Sequence, residues 1–369
     1  MLLKQFEYSE FINDDRFWAI KPFVLGKINL FTAKNATGKT RIISAISSLN
    51  MIIKDNFFDA HANYSAEFSS NTDNYQYVLS NDSKKVVSEK LVVNNKIYLQ
   101  RNDTGKGDIF TAQLDKRIEF QLPKNKMAIS RRDMIQYPYL EKIHLWAEKL
   151  QCYLFGTSMN QAFGKAIEKE NTMLDGNSDN SVEIFLVGEL EFKLEFKEKV
   201  LSSMNSIGYD LNDIGVRNSK GRSEDYILYV SENDRKSIVE QYYMSQGMFR
   251  ALSIIIHLTY HTMMGIPITI LIDDIGEGLD YDRSTKLIKL LIELAEKNEN
   301  IQLIMSTNDR YVMNNVPFKY WQLVERKGGE CKVYNYQNSK EKFDEFKYMG
   351  LNNFDFLATD YINSKWEKI

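Results

Sequence analysis

Hydrophobic positions along the chain fall into short unbroken runs, longer helical patterns and alternating stretches, and each predicts a different element. Lys27-Ile-Asn-Leu-Phe31, Ile268-Thr-Ile-Leu-Ile-Asp-Asp274 and Ile301-Gln-Leu-Ile-Met-Ser-Thr-Asn-Asp309 are apolar runs, the last two closing on polar residues. Central strands buried on both faces read this way. Arg41-Ile-Ile-Ser-Ala-Ile46 reads as the start of a helix, and Ala251-Leu-Ser-Ile-Ile-Ile-His257 as a buried helix. The stretch from Ala251 to Ile272 raises the question of a membrane span, but Gly265-Ile-Pro267 divides it and His257, Tyr260, His261 and Thr262 interrupt it. A buried helix followed by a buried strand is the expectation, with no membrane insertion.

Residues 62–122 carry short strand-like runs at Tyr75–Leu79, Val86–Val93, Lys96–Gln100 and Ile109–Ala112, punctuated by Asn81-Asp-Ser, Asn94-Asn and Gly105-Lys-Gly. Turn residues between such runs predict an antiparallel array. Residues 132–157 and 181–207 read as largely helical, with the polar Asp175-Gly-Asn-Ser-Asp-Asn180 as a link. Leu190-Glu-Phe-Lys-Leu-Glu-Phe196 alternates with period two and competes as a strand. No sustained heptads run through this middle, so a long coiled-coil arm is not expected. Strand patterns return at Asp225–Val230 and Ser237–Gln241. Tyr320–Arg326 and Cys331–Tyr336 flank Lys327-Gly-Gly-Glu330 and predict a hairpin. A charged helix near Ser339–Phe346 follows, and the tail aromatics are expected to pack rather than to bind a base.

Composition narrows the class. With 369 residues, 43% of them hydrophobic and 12% aromatic, the chain is long enough for one large domain or two smaller ones with a substantial core. A net charge of −3 excludes the overall basic bias of nucleic-acid binders, leaving only a local basic groove. Cys152 and Cys331 stand apart, as reduced structural thiols of a cytoplasmic protein do, and no zinc site is expected from the four histidines. Met1–Tyr8 has no charged-then-apolar signal pattern.

Chemistry concentrates between the strand Lys27–Phe31 and the helix beginning at Arg41. Ala33, Lys34, Asn35, Ala36, Thr37, Gly38, Lys39 and Thr40, with Arg41 beyond, form a strand–loop–helix phosphate-binding loop ending in Gly-Lys-Thr. Backbone N–H groups of such a loop face phosphate oxygens, and the helix dipole favours negative charge there. Lys39 can reach β- and γ-phosphates and the Thr40 hydroxyl can ligate Mg²⁺, so the chain is expected to bind a nucleoside triphosphate. Ala33 occupies the place of the pattern's first glycine, which predicts a slightly weakened loop. Downstream, Asp273 ends an apolar strand where it can hold Mg²⁺, and Asp274 can orient and polarise the attacking water.

Leu271-Ile-Asp-Asp-Ile-Gly-Glu-Gly-Leu-Asp280 resembles the Walker B motif and D-loop of ABC-type ATPases, in the branch of SMC, RecF and OLD-like proteins. Gln241-Tyr-Tyr-Met-Ser-Gln-Gly-Met-Phe-Arg250 is similar to the ABC signature, keeping Ser245 and Gly247 and departing at three positions of Met244–Met248. Ser245 is also a good N-cap, and Gly247 is expected to expose backbone N–H groups. Ile301–Asp309 resembles the switch strand, with Asn308 where a histidine commonly stands. The family's usual glutamate after the Walker B aspartate is here Asp274, one methylene shorter, which predicts slow hydrolysis. Glu277 is the second candidate for the base, behind Asp274, because the turn is expected to point it elsewhere.

The resemblance implies an α/β P-loop NTPase of the ABC head type, with a mixed central sheet, an antiparallel β subdomain and a helical insertion. It divides the chain into residues 1–125 (N-terminal half of the head with the antiparallel subdomain), 126–210 (helical insertion), 211–337 (C-terminal half of the head) and 338–369 (helical tail). The segment after the switch strand is expected to complete the head rather than to build the TOPRIM nuclease domain of OLD-like proteins. The implied cofactors are ATP and Mg²⁺, the latter on Thr40 and Asp273. The implied assembly is a homodimer in which Lys39 and Thr40 of one subunit face Ser245, Gly247 and Asp280 of the other. Compact ATPases resembling this one serve bacterial anti-phage defence, holding or releasing an effector protein (a nuclease or toxin) from a neighbouring gene. The alternative is a RecF-like repair ATPase that binds DNA directly.

Overall fold

The computed structural model describes residues 1–56, 61–70, 72–154, 164–165, 181–219 and 222–363. The polar link expected at Asp175–Asn180 lies outside them. Two compact units form: Met1–Leu150 with Phe318–Ile369, and Gln151–Pro317.

In the first unit, strands lie in the order Ile28–Thr32, Trp321–Lys327, Glu330–Asn335, Trp18–Val24, Leu2–Glu10, Ala62–Ser69, Asn74–Asp82, Lys85–Val93, Lys96–Arg101, Lys106–Thr111 and Lys116–Gln121. Ile28–Thr32 runs parallel to Trp321–Lys327, and Glu330–Asn335 parallel to Trp18–Val24. From Trp18–Val24 outward every pairing is antiparallel. Ile28–Thr32 is buried at every position, as an unbroken apolar run requires. Ala62–Ser69 instead alternates, burying Ala62, Tyr64, Ala66 and Phe68 and leaving Asn63, Ser65, Glu67 and Ser69 half-buried. Asn94 and Asn95 both take positive φ (48° and 64°) between the paired Val93 and Lys96. Asparagine tolerates that region, which is what a tight two-residue hairpin demands.

The hairpin expected over 320–336 forms, pairing Gln322 with Asn335 and Lys327 with Glu330. The tail behind it packs through its rings. Phe343 stacks on Phe356 at 4.7 Å and Phe318 lies edge-on to Trp321 at 4.9 Å, all four buried. Each such pair adds about 1 kcal/mol beyond the area it buries.

In the second unit, Ile268–Asp273 and Ile301–Thr307 are parallel neighbours, with Leu150–Leu154 beside Ile268–Asp273. A smaller antiparallel sheet joins Leu211–Ser219 to Arg222–Glu232. The apolar stretch around Gly265 resolves into the helix Gln246–Met264, a left-handed Gly265 (φ 66°) and the strand Ile268–Asp273. Among the described residues no helix is long and apolar enough to cross a membrane.

Two local expectations are corrected. The helix expected over 132–157 is confined to Pro138–Glu148, and Leu150–Leu154 is a strand, where the buried Tyr153 hydroxyl bonds His257 Nδ1. Pro138 suits a first helical turn because the N–H it lacks has no helical partner there. Leu190–Phe196 is no strand: helices Ser181–Phe192 and Leu194–Ser206 meet at Lys193, whose φ is 55°. The second helix buries Phe196, Val200 and Met204, spaced four apart, so helical burial overrides the two-residue alternation.

Candidate functional site

The phosphate-binding sequence lies in the first unit. Strand Ile28–Thr32 ends, Ala33 is buried at 2% exposure, and Lys34, Asn35 and Ala36 stand exposed before helix Lys39–Asp55 begins. Positive φ occurs at Ala36 (61°) and Gly38 (114°), not at Ala33. The weakening expected from Ala33 on backbone grounds therefore has no basis, because that position does not need the left-handed region. Gly38 does, and a Cβ there would also stand 3.1 Å from the Trp18 ring.

Side-chain donors converge on the loop's carbonyls. Lys39 Nζ donates to Ala33 O (3.3 Å), Thr37 Oγ1 to Lys34 O (2.6 Å), Arg326 Nη1 to Ala36 O (3.3 Å) and Cys331 Sγ to Thr37 O (3.4 Å). No side chain caps the helix at Gly38 and no acid sits in its first turn. Carbonyls already bonded by side-chain donors and a helix start without a side-chain cap suit an anionic ligand. Lys39 is buried while the Thr40 side chain is exposed. The Arg41 side chain is engaged beside the loop: its Nε donates to Glu10 Oε1 at 2.5 Å and its guanidinium lies 4.8 Å from the centre of the Trp18 ring. A cleft of about 210 Å³ beside the loop is lined by Lys34, Thr37, Glu325, Arg326, Phe356 and Asn363, among others. Burial raises the Cys331 thiol above its ordinary pKa, in keeping with a structural thiol.

The acidic motif lies in the second unit. Asp273 closes its strand at 7% exposure and accepts a hydrogen bond from the Ser306 hydroxyl on Oδ1. Asp274 then turns the chain at φ 54°; its N–H donates to Ser306 Oγ (2.9 Å) and its Oδ1 accepts from Asn308 Nδ2 (3.2 Å). Thr307 Oγ1 donates to Ile275 O at 2.9 Å. The structure thus brings Asp273, Asp274 and Asn308 together, with a cavity of about 320 Å³ lined by Asp274, Ile275, Glu277, Thr307, Asn308 and Asp309. Glu277 is exposed, and its carbonyl accepts from Arg250 Nη1 (3.1 Å). Ser306 carries no motif of its own in the sequence. The polar close of its otherwise apolar strand was the available signal.

Ser245 caps the helix Gln246–Met264, its Oγ accepting from Met248 N at 3.2 Å, and is exposed together with Gln246. Gly247 is buried: a Cβ there would lie 2.3 Å from Gly278 O. Its missing side chain permits close packing against the acidic turn. Asp280 caps the helix Tyr281–Lys297. Its pKa is lowered first by the Arg283 backbone N–H and then by the Arg283 guanidinium, 2.7 Å away. Among the described residues no group of three or more His, Cys, Asp or Glu is placed to hold a metal. Mg²⁺ needs no such cluster, since one or two protein oxygens plus phosphates satisfy it; the Asp273 carboxylate and the Thr40 hydroxyl, each in its own unit, are oxygen donors of the hard kind that it accepts.

No family model and no curated protein matches the sequence. Solved structures do. The chain is similar to an Smc head bound to the C-winged helix domain of ScpA, at 12% identity and a TM-score of 0.54, over 90% of this chain and 97% of that one. It is likewise similar to the Smc head domain with an extended coiled coil bound to the C-terminal domain of ScpA, derived from Pyrococcus furiosus, at 11% identity and 0.53, over 94% and 99%. The fold is that of an SMC head. At these identities the likeness carries the fold alone.

Proposed function

We propose that this chain is an ABC-type ATPase that binds ATP with Mg²⁺, closes as a homodimer around the nucleotide and hydrolyses it slowly. The carrying observation is the loop Ala33–Thr40, with side-chain donors on its carbonyls, Lys39 Nζ on Ala33 O among them, at the start of a helix that has no side-chain cap. Lys39 holds the β- and γ-phosphates by charge, and the N–H groups of the loop orient them. Thr40 and Asp273 are the residues that hold Mg²⁺, which neutralises phosphate charge. Asp274 orients the attacking water, with Asn308 bonded to its carboxylate and Glu277 in reserve. Ser245, Gly247 and Asp280 of the second subunit complete the closed state.

The cycle serves, in this reading, a cytoplasmic sensor-regulator of the OLD-like kind in bacterial anti-phage defence, whose nuclease or toxin effector comes from a neighbouring gene. Support for a protein partner comes from two heads of this fold that carry a bound ScpA domain. ATP titration with light scattering tests the ATPase reading: ATP should bind and shift the mass from one chain to two. Failure to bind ATP would overturn it. Co-purification with the product of the adjacent gene tests the regulatory role, whereas ATP-dependent DNA binding that falls steeply with salt would favour the RecF-like alternative.

A further inference from the structure

We infer that Ser306 is a positioning residue that sets both carboxylates of the acidic turn, and that its hydroxyl tunes the cation affinity of Asp273. The inference rests on the proposed role of Asp273 as a Mg²⁺ ligand. Ser306 is fully buried. A hydroxyl has a single proton and two lone pairs. Here the proton goes to Asp273 Oδ1, and a lone pair accepts the Asp274 N–H at 2.9 Å. One atom therefore fixes the rotamer of the metal-binding carboxylate and the backbone of the water-orienting one.

The backbone needs that help. Asp274 sits at φ 54°, a region that costs a non-glycine residue about 1 kcal/mol. The turn is stitched further by Ile275 N donating to Ser306 O (2.8 Å), by Thr307 on Ile275 O and by Asn308 on Asp274 Oδ1. These other bonds hold backbone or Asp274. Among the described residues, Ser306 is the one whose side chain bonds the Asp273 carboxylate. Removing its hydroxyl leaves the turn largely tied and releases Asp273, so metal affinity should respond more than folding.

The test uses the full chain with a non-hydrolysable ATP analogue, reading the thermal midpoint as Mg²⁺ is titrated. Ser306→Ala should raise the Mg²⁺ concentration for half-maximal stabilisation by about 10- to 100-fold, the usual effect of losing an outer-shell partner. Ser306→Thr, which keeps the hydroxyl, should restore it. Analogue binding in EDTA should not change in either variant, and in turnover kcat should fall while KM for ATP holds. An unchanged Mg²⁺ requirement in Ser306→Ala, or a Ser306→Thr variant as impaired as Ser306→Ala, overturns the inference. Should Ser306→Ala not fold, Ser306→Cys, a near-isostere and weak donor, is read by the same titration. A wild-type chain that binds no analogue overturns the ATPase reading and this inference together, whereas a normal wild-type response with a silent Ser306→Ala overturns this inference alone.

Discussion

The loop at Ala33–Thr40 and the turn at Asp273–Asp280 are built on opposite principles. In the loop, backbone shape does the work: positive φ at Ala36 and Gly38 bends the chain, and side-chain donors bond its carbonyls. In the turn, side chains do it: Ser306, Thr307 and Asn308, three consecutive residues, each bond the segment Asp273–Ile275. A phosphate wants many weakly directional N–H donors, which backbone supplies. A water-orienting carboxylate wants one orientation, which only side-chain partners impose. The loop should therefore tolerate changes that respect its φ angles, while the turn should be sensitive to single polar atoms.

The hardest test of the loop is Lys39→Ala, expected to weaken ATP binding by about 100-fold or more because it removes a buried charge partner of the phosphates. Calorimetric affinity near wild type would mean that the loop does not bind phosphate through Lys39. On the turn, Asp274→Asn should slow hydrolysis by about 100-fold or more while ATP still binds, so an ATP-bound dimer accumulates on size exclusion with light scattering. Turnover at the wild-type rate would move the catalytic role elsewhere, with Glu277 next to be tested.

Smaller effects sharpen the contrast. Gly247→Ala brings a methyl to 2.3 Å from Gly278 O and should lower stability by about 1–3 kcal/mol, read as a fall in Tm without nucleotide. An unchanged Tm would mean that the turn can move aside. Ala33→Gly should be nearly silent for ATP affinity and should cost about 0.4–1 kcal/mol in stability, because Ala33 does not use positive φ and glycine only loosens the unfolded chain. A gain in affinity would show that the loop does want glycine there.

What the sequence determined by itself was local and periodic. The buried strands Ile268–Asp273 and Ile301–Thr307, the helix capped by Ser245, the Asn94-Asn95 turn and the strand–loop–helix around Ala33–Thr40 were all legible, because each depends on neighbours a few positions away. Only the tertiary structure decided Ser306 as the partner of Asp273, 33 residues distant, and the reason for Gly247, which is the nearness of Gly278. The same holds for the helix pair at Leu190–Phe196, where burial of Phe196, Val200 and Met204 outweighed an alternating pattern. Hydrogen-bond partners and steric neighbours brought together from distant segments leave no period in a chain, and so nothing in the order of residues announces them.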